Sequence, residues 1–439
     1  MPIGALCWDR RSPTCARPSL PRVTRVETVS RVDLASPEFK KNAMVFYARL
    51  RAERPVCPVM LPDRQVVWLV TRYEEVAALL KDARFAKDKG NALTPEQRAR
   101  QPWVPAMFRP LTRNMLDVDA PDHTRLRNLV HKAFTPRLVE RMRERIQTLT
   151  ETLLDAVEAK GRMDLIRDYA LPIPTTVIAE MLGVPVADRH KFHRWSRVIV
   201  ASNPSGWRMV RAIPSVVAFL RYIRKLVQSR RVHPREDLVS ALVSVEEAGE
   251  QLNEDELVAM VFLLLVAGHE TTVHFIGNAT LTLLEQPSEK TKLQNDPRIV
   301  PSAIEELLRH SGPLETATER YAREDVSICG VKIPRGALVY AVIASADRDE
   351  REFDRPDLLD LTRQPNRHLA FGLGVHYCLG APLARLEGQI AILTLLRRLP
   401  DLRLAVPADA LRWRRGLVLR GLETLPVRFA SRAAVLAAG

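Results

Sequence analysis

The chain has 439 residues, 46% of them hydrophobic and 27% charged, which supplies a large buried core and excludes a disordered chain. Its formal charge of +14 raises the question of phosphate binding, but arginines and acidic residues are interleaved throughout and no nucleic-acid-binding motif accompanies them. No nucleic-acid partner is expected. The longest uninterrupted apolar stretch, residues 258–268, is too short for a bilayer, and residues 1–22 hold Asp9, Arg10, Arg11 and four prolines rather than a basic start and an apolar run. The expectation is therefore a cytoplasmic protein with no membrane association. Its cysteines, Cys7, Cys15, Cys57, Cys329 and Cys378, are odd in number and lack metal-site spacing, as in a reducing compartment.

In chain order, residues 1–35 read as a loose extension. An amphipathic helix follows over residues 37–54, then a strand at Val66-Val67-Trp68-Leu69-Val70 and a helix over residues 73–81. Residues 87–122 are rich in loop signals, with Pro95, Pro102, Pro105 and Pro110, and a loop of that length inside a compact chain is commonly functional. Helical periodicity resumes at His123 and runs to about residue 311, with breaks near residues 172–174 and 203–206. Asn253 and Glu256 form a capping-box pattern at the start of a helix that continues to about Leu284. Strand-like segments return between residues 313 and 345. No repeat or linker divides the chain, so the pattern predicts a single large domain, mainly α with a small β portion, over residues 36–429, followed by a tail over 430–439.

Three clusters carry chemistry. The first is Phe371-Gly372-Leu373-Gly374-Val375-His376-Tyr377-Cys378-Leu379-Gly380, followed by a helical pattern with Pro382 in its first turn. The glycines let backbone approach a flat group closely, and the unpaired N–H groups at the helix start, with the helix dipole, lower the proton affinity of a nearby sulfur. A cysteine so placed suits a thiolate ligand for haem iron. The second is Ala267-Gly268-His269-Glu270-Thr271-Thr272, a polar interruption in an apolar helix whose threonines predict an opened turn. The third is Glu306-Leu307-Leu308-Arg309, an acid and a guanidinium on one helix face.

Together these motifs resemble the cytochrome P450 family, in particular its soluble bacterial members that act on polyketides and macrolides; the resemblance spans about residues 36–429. It implies the P450 fold, one haem b, and metal ligation by Cys378. It also implies cofactor contacts from His123, Arg127, Ala267, Gly268, Arg320, Phe371, Gly372, His376 and Gly380, with His123, Arg127, Arg320 and His376 facing the propionates. Glu270 and Thr271 would be the catalytic acid–alcohol pair that guides protons to bound oxygen. Arg363 would join Glu306 and Arg309 in a structural clamp, although Asp347 and Glu350 stand in the turn nearby where the family more often has asparagine and proline. Substrate contacts are expected from residues 87–115, 200–214, 313–318 and 417–419, with Val266 and Ala267.

The activity so implied is a monooxygenase inserting one atom of O2 into an apolar small molecule. No second glycine fingerprint or cysteine cluster signals a built-in flavin or iron–sulfur domain, so a separate ferredoxin and its NAD(P)H-dependent reductase are expected partners. The basic residues Arg125, Lys132 and Arg137 near the propionate helix are the expected docking surface for an acidic ferredoxin. Two alternatives stand beside this reading: a peroxide-driven P450, and a non-catalytic haem-thiolate sensor or carrier.

Overall fold

A computed structural model describes residues 30–99, 114–191, 194–195, 207–247 and 252–431. Most of the expected N-terminal extension, the end of the tail, and the expected substrate-contact segments 100–113 and 200–206 lie outside the described residues.

The helices that position the site are α1 (Pro37–Glu53), α2 (Tyr73–Leu79), α3 (Asp122–Ala133), α4 (Arg143–Glu158), α5 (Pro172–Met181), α6 (Trp207–Val232), α7 (Leu238–Glu247), α8 (Glu254–Glu285), α9 (Pro287–Asn295), α10 (Val300–Ser311) and α11 (Ala381–Arg398). The strands are β1 (Ser30–Arg31), β2 (Val56–Met60), β3 (Val66–Val70), β4 (Phe85–Ala86), β5 (Arg162–Asp164), β6 (Arg320–Ala322), β7 (Val326–Ile328), β8 (Val331–Ile333), β9 (Leu338–Ala341), β10 (Arg403–Leu404) and β11 (Pro426–Arg428). Six of them make one mixed sheet in the order β1-β2-β3-β9-β6-β4, with β3 and β9 parallel from Val67 opposite Leu338 to Val70 opposite Ala341. The mainly helical architecture with a small β portion is as the periodicity predicts.

Helix α8 is the axis of the molecule and packs against α5, α10 and α11. Asn253 starts it by accepting from the Glu256 amide (2.9 Å) while the Glu256 carboxylate accepts from the Asn253 amide (2.9 Å), the reciprocal cap expected from the sequence. Among the described residues α8 alone is long and apolar enough to cross a membrane, yet 56% of its most apolar window is buried inside the protein. The sequence reading measured only the uninterrupted stretch before His269. The apolar character in fact continues to Leu283 on two faces: Phe275 and Leu283 wall a core with Ile304, Leu307 and Ile392, and Val273 and Ile276 belong to a second core. The break expected near residues 172–174 falls at Leu171, between a π-helical turn over Ile166–Ala170 and α5, and Pro172 and Pro174 lie in the first turn of α5, where a missing N–H costs nothing.

Basic residues are not confined to solvated faces. Lys40 on α1 is fully buried, with its ammonium 2.6 Å from the Glu315 carboxylate, to which the Tyr47 hydroxyl also donates at 2.6 Å. That pair ties the first helix to the segment after α10 and holds two otherwise costly charges together.

Candidate active site

The cysteine loop is shaped by two left-handed glycines, Gly372 (φ 68°) and Gly374 (φ 72°). A side chain at Gly374 would stand 3.0 Å from the Leu80 carbonyl and 3.2 Å from Lys81 Cγ, so only glycine lets the loop lie this close to the end of α2. The Cys378 amide donates to the Phe371 carbonyl at 2.9 Å, which closes the loop and delivers the sulfur to the N-terminus of α11. Burial raises the proton affinity of the Cys378 thiol, opposed by the backbone amides of Gly380 and Ala381 and the guanidiniums of Arg127 and Arg385. The sign of each helix-start contribution is as expected, but burial outweighs them. A coordinated cation is what takes the proton's place on such a sulfur.

On α8, Ala267 is exposed although the residues from Thr272 to Leu283 are buried. The Thr271 hydroxyl donates to the Ala267 carbonyl at 2.9 Å, and the helix continues without a break from Glu254 to Glu285. The opened turn expected here is therefore absent: the hydroxyl back-bonds within a continuous helix, an arrangement that strains the turn without breaking it. Glu270 lies 3.9 Å from His274 and 3.8 Å from Arg414, and burial raises its pKa while Arg414 opposes the rise. A side chain at Gly268 would point to Ile178 of α5 at 3.5 Å, so the glycine's space is set by helix packing.

Cations gather on the other side of the loop. His123 of α3 is 2% exposed, its Nε2 has no partner among the described residues, and its ring centroid is 4.1 Å from that of His376. Arg320 of β6 is 5% exposed, contacts the Thr318 carbonyl at 3.3 Å, and has its pKa lowered by burial to about 10. Arg127 donates to the Tyr377 carbonyl at 2.6 Å. Lys87, expected from the sequence among the substrate contacts of the 87–115 loop, joins this cluster: its ammonium donates to Thr318 Oγ1 (2.6 Å) and the Glu319 carbonyl (2.7 Å), and burial, with Arg320 beside it, lowers its pKa to about 7. Burial first, then His123, Lys87 and Arg320, hold the His376 pKa near 3. Groups that push one another toward the neutral form make a site whose strain an anion relieves, and an unpartnered imidazole nitrogen is ready to meet one.

The clamp forms as expected. Glu306 and Arg309 are fully buried and bond bidentately at 2.8 Å, and Arg363 Nε reaches both Glu306 oxygens at 3.1 Å. The adjoining turn stays ordered: the carboxylate of the departing Asp347 accepts from the Leu369 amide (2.6 Å), and Asp349 two residues on accepts from the Tyr73 amide (2.8 Å). Two groups that sequence reasoning left without a role lie nearby. Arg385 stacks on Phe371, 4.4 Å from the ring centroid, and pairs with Glu305 at 2.7 Å, while His368 meets the same carboxylate at 3.1 Å. Glu387 of α11 is 1% exposed beside Thr272, one of its oxygens has no partner among the described residues, and burial raises its pKa to about 8. A carboxyl inside the apolar run around Leu386 and Ile390 was the available signal.

Residues 207–401 match the family described as Cytochrome P450. Polyketide biosynthesis cytochrome P450 PksS of Bacillus subtilis is 42% identical over 393 residues, covering 89% of this chain and 96% of that protein. The chain belongs to the cytochrome P450 family. Cytochrome P450 107B1 of Saccharopolyspora erythraea is 46% identical over 385 residues, covering 87% of this chain and 94% of its own length. Cytochrome P450 monooxygenase PikC of Streptomyces venezuelae is 42% identical over 395 residues, covering 89% of this chain and 92% of its own. The solved structure of the Bacillus subtilis PksS matches with a TM-score of 0.85, 41% identity, and coverage of 91% of this chain and all of that one. P450s bind haem b through a cysteine thiolate. The donor set fits that group: one sulfur at a helix start, buried cations with an unpartnered imidazole nitrogen, and an exposed alanine on the helix that packs against α11.

Proposed function

We propose that this P450 is a monooxygenase that inserts one atom of O2 into an apolar small molecule, by hydroxylation or epoxidation. Haem b, when bound, supplies the iron at which oxygen is held and reduced. In this reading Cys378 is the axial ligand, and His123, Arg127, Arg320 and His376 hold the propionates. Phe371, Gly372 and Gly380 shape the ligand loop, and Ala267 and Gly268 belong to the face of α8 turned to the cofactor. Residues 36–429 are the catalytic domain, working in the cytoplasm.

One observation carries the choice among P450 chemistries: the acid and the alcohol, Glu270 and Thr271, occupy consecutive positions on the helix that packs against α11, where Cys378 is presented. Thr271 has a hydroxyl that can exchange its Ala267 acceptor for another, and burial raises the pKa of Glu270 against the opposing Arg414, the direction that suits a carboxyl that carries protons. A peroxide-driven enzyme does not need such a pair, and a sensor needs neither. The substrate class is a polyketide or related secondary metabolite, supported by the relative named for polyketide biosynthesis. The electrons come from an acidic ferredoxin served by an NAD(P)H-dependent reductase. The proposed docking face carries Arg125, which pairs with Glu256, together with Lys132 and Arg137.

The test is turnover with a surrogate ferredoxin and reductase, using substrates chosen by the shift of the ferric haem spectrum on binding. Coupled product supports the reading; NAD(P)H consumption without product from any spectroscopically active ligand refutes it. Thr271→Ala is expected to bind substrate normally and divert most reducing equivalents to hydrogen peroxide. An unchanged ratio of product to NAD(P)H removes the assignment of Thr271.

A further inference from the structure

Beyond Glu270, the buried half of α8 carries polar residues where its neighbours are apolar. Glu270, His274, Asn278 and Thr282 follow one another at intervals of four, which places successive members one turn apart on adjoining positions of one face. His274 is 1% exposed, Asn278 3% and Thr282 8%, in a run that otherwise includes Val273, Phe275, Ile276 and Leu283. His274 Nε2 faces Glu270 at 3.9 Å. Its Nδ1, and Oδ1 of Asn278, are buried without a hydrogen-bond partner among the described residues. Buried polar atoms of this kind are the ones that internal water satisfies.

The stripe ends in a cavity of about 340 Å³ lined by Asn278, Thr282, Glu285, Arg420 and Trp413 among others. Its rim includes Glu285, Lys41 and Asp409, all exposed, so the cavity reaches solvent. Asn278 is fixed at the inner end because its Nδ2 donates to the Arg420 carbonyl at 2.9 Å, which leaves Oδ1 to be met from His274's side. A second, independent observation concerns the wall opposite. Any side chain at Gly421 would stand 2.0 Å from His274 Nδ1, so the imidazole has room only because that position is glycine.

We propose that protons reach Glu270 from this cavity, handed through water between Asn278 and His274 Nδ1 and released from His274 Nε2 to the Glu270 carboxylate. The inference rests on Glu270 being the relay acid of the proposed function. Each transfer is balanced: water gives a proton to His274 Nδ1 as Nε2 gives one to the Glu270 carboxylate, and reorientation of the ring before the next transfer returns the N–H to the Glu270 side. Two protons per O2 accompany the two electrons from the reductase, and solvent replaces both. Burial first, then Arg414 and His269, keep the His274 imidazolium pKa near 3, so the ring is neutral and offers one donor and one acceptor. The rival route is direct entry beside Arg414, whose half-exposed guanidinium is 3.8 Å from the same carboxylate.

The experiment compares the holoenzyme with His274→Phe, Asn278→Leu, Gly421→Ala, Arg414→Gln and Glu270→Gln. It reads product per NAD(P)H, the solvent deuterium isotope effect, and the substrate-induced spectral shift. His274→Phe is expected to slow coupled turnover about tenfold or more and to change the isotope effect, with the spectral shift intact; Gly421→Ala follows it in the same direction. A crystal structure of the wild-type holoenzyme is expected to show ordered water within hydrogen-bond distance of both His274 Nδ1 and Asn278 Oδ1, continuous with the cavity. A dry gap there, or His274→Phe turning over with wild-type coupling while Glu270→Gln is slow, overturns the route and leaves the relay acid in place. Loss confined to Arg414→Gln also overturns it, in favour of the surface entry. Glu270→Gln with unchanged turnover instead removes the relay acid itself.

Discussion

Replacing Glu306 by glutamine tests whether the buried clamp holds the cysteine loop. The two Glu306 oxygens receive Arg309 Nε and Nη2 at 2.8 Å, Arg363 Nε at 3.1 Å, Asn366 Nδ2 at 3.2 Å and the Asp360 amide at 3.0 Å. Every partner is a donor. Glutamine has the same shape, so no cavity forms, but its NH2 turns one acceptor into a donor aimed at other donors, and two guanidiniums lose their counter-charge in a site with no exposure. Removing one partner of a buried ion pair costs about 3–5 kcal/mol. At 1.4 kcal/mol per factor of ten, the folding equilibrium shifts by about a hundredfold to a few thousandfold.

The damage propagates because Arg309 Nη1 also donates to the carbonyls of Asp347 and Pro356 (both 2.8 Å), and Asp347 in turn receives the Leu369 amide two residues before Phe371. Urea unfolding followed by tryptophan fluorescence measures the stability loss, and the reduced carbon monoxide spectrum reports whether thiolate ligation survives. Glu306→Gln with stability within about 1 kcal/mol of wild type would refute the reasoning, since that is the value of a solvent-screened pair.

Cys378→Ala is expected to abolish the long-wavelength Soret band of the reduced carbon monoxide complex; its retention would show that another residue ligates the iron. Arg320→Gln removes a charged donor worth about 1.5–3 kcal/mol, so transfer of haem to apomyoglobin should accelerate roughly ten- to a hundredfold, and an unchanged rate would take Arg320 out of the propionate site. Glu387 has its folded-state pKa raised to about 8, so the folded protein binds its proton more tightly than the unfolded chain does. Stability is then lost as pH rises from about 4 through 8, and Glu387→Gln should flatten that decline by as much as about 5 kcal/mol; parallel pH profiles would contradict it.

What was legible in the sequence was local. The capping box of Asn253 and Glu256, the glycine loop ahead of Cys378, and the Glu306–Arg309 pair all lie within ten residues of sequence, where spacing alone decides which groups meet. Arg363 was placed correctly from 57 residues away because the family pattern, not periodicity, supplies it. Lys87 was missed as a member of the cation cluster because its environment is made by pairing β4 with β6, which brings it to Thr318 across 231 residues. Arg385 and Glu305, 80 residues apart, meet only once α10 and α11 pack. The opened turn at Thr271 was misjudged for a different reason: the hydroxyl's back-bond to Ala267 is compatible with an intact helix, and local residue types cannot rank the two outcomes.

Charge shows the same division more sharply. Interleaved signs along the chain describe a solvated surface on average, yet Lys40, Arg51, Arg230, Arg309 and Arg320 are each at most 5% exposed. Four of these have a specific carboxylate partner: Glu315, Glu350, Asp237 and Glu306 respectively. Two of those pairs, Lys40–Glu315 and Arg230–Asp237, are buried on both sides and join separate elements, since a buried pair adds little net stability but forbids arrangements that separate it. Arg320 differs. It contacts the Thr318 carbonyl, has Lys87 and the Asp119 carboxylate as charged neighbours, and burial draws its pKa down to about 10 despite Asp119. A buried cation with no ion pair among the described residues is not explained by folding, because folding alone would favour an apolar residue there. The buried cations Arg320 and Lys87, with the imidazoles of His123 and His376 beside them, suit the two carboxylates proposed to arrive with the cofactor.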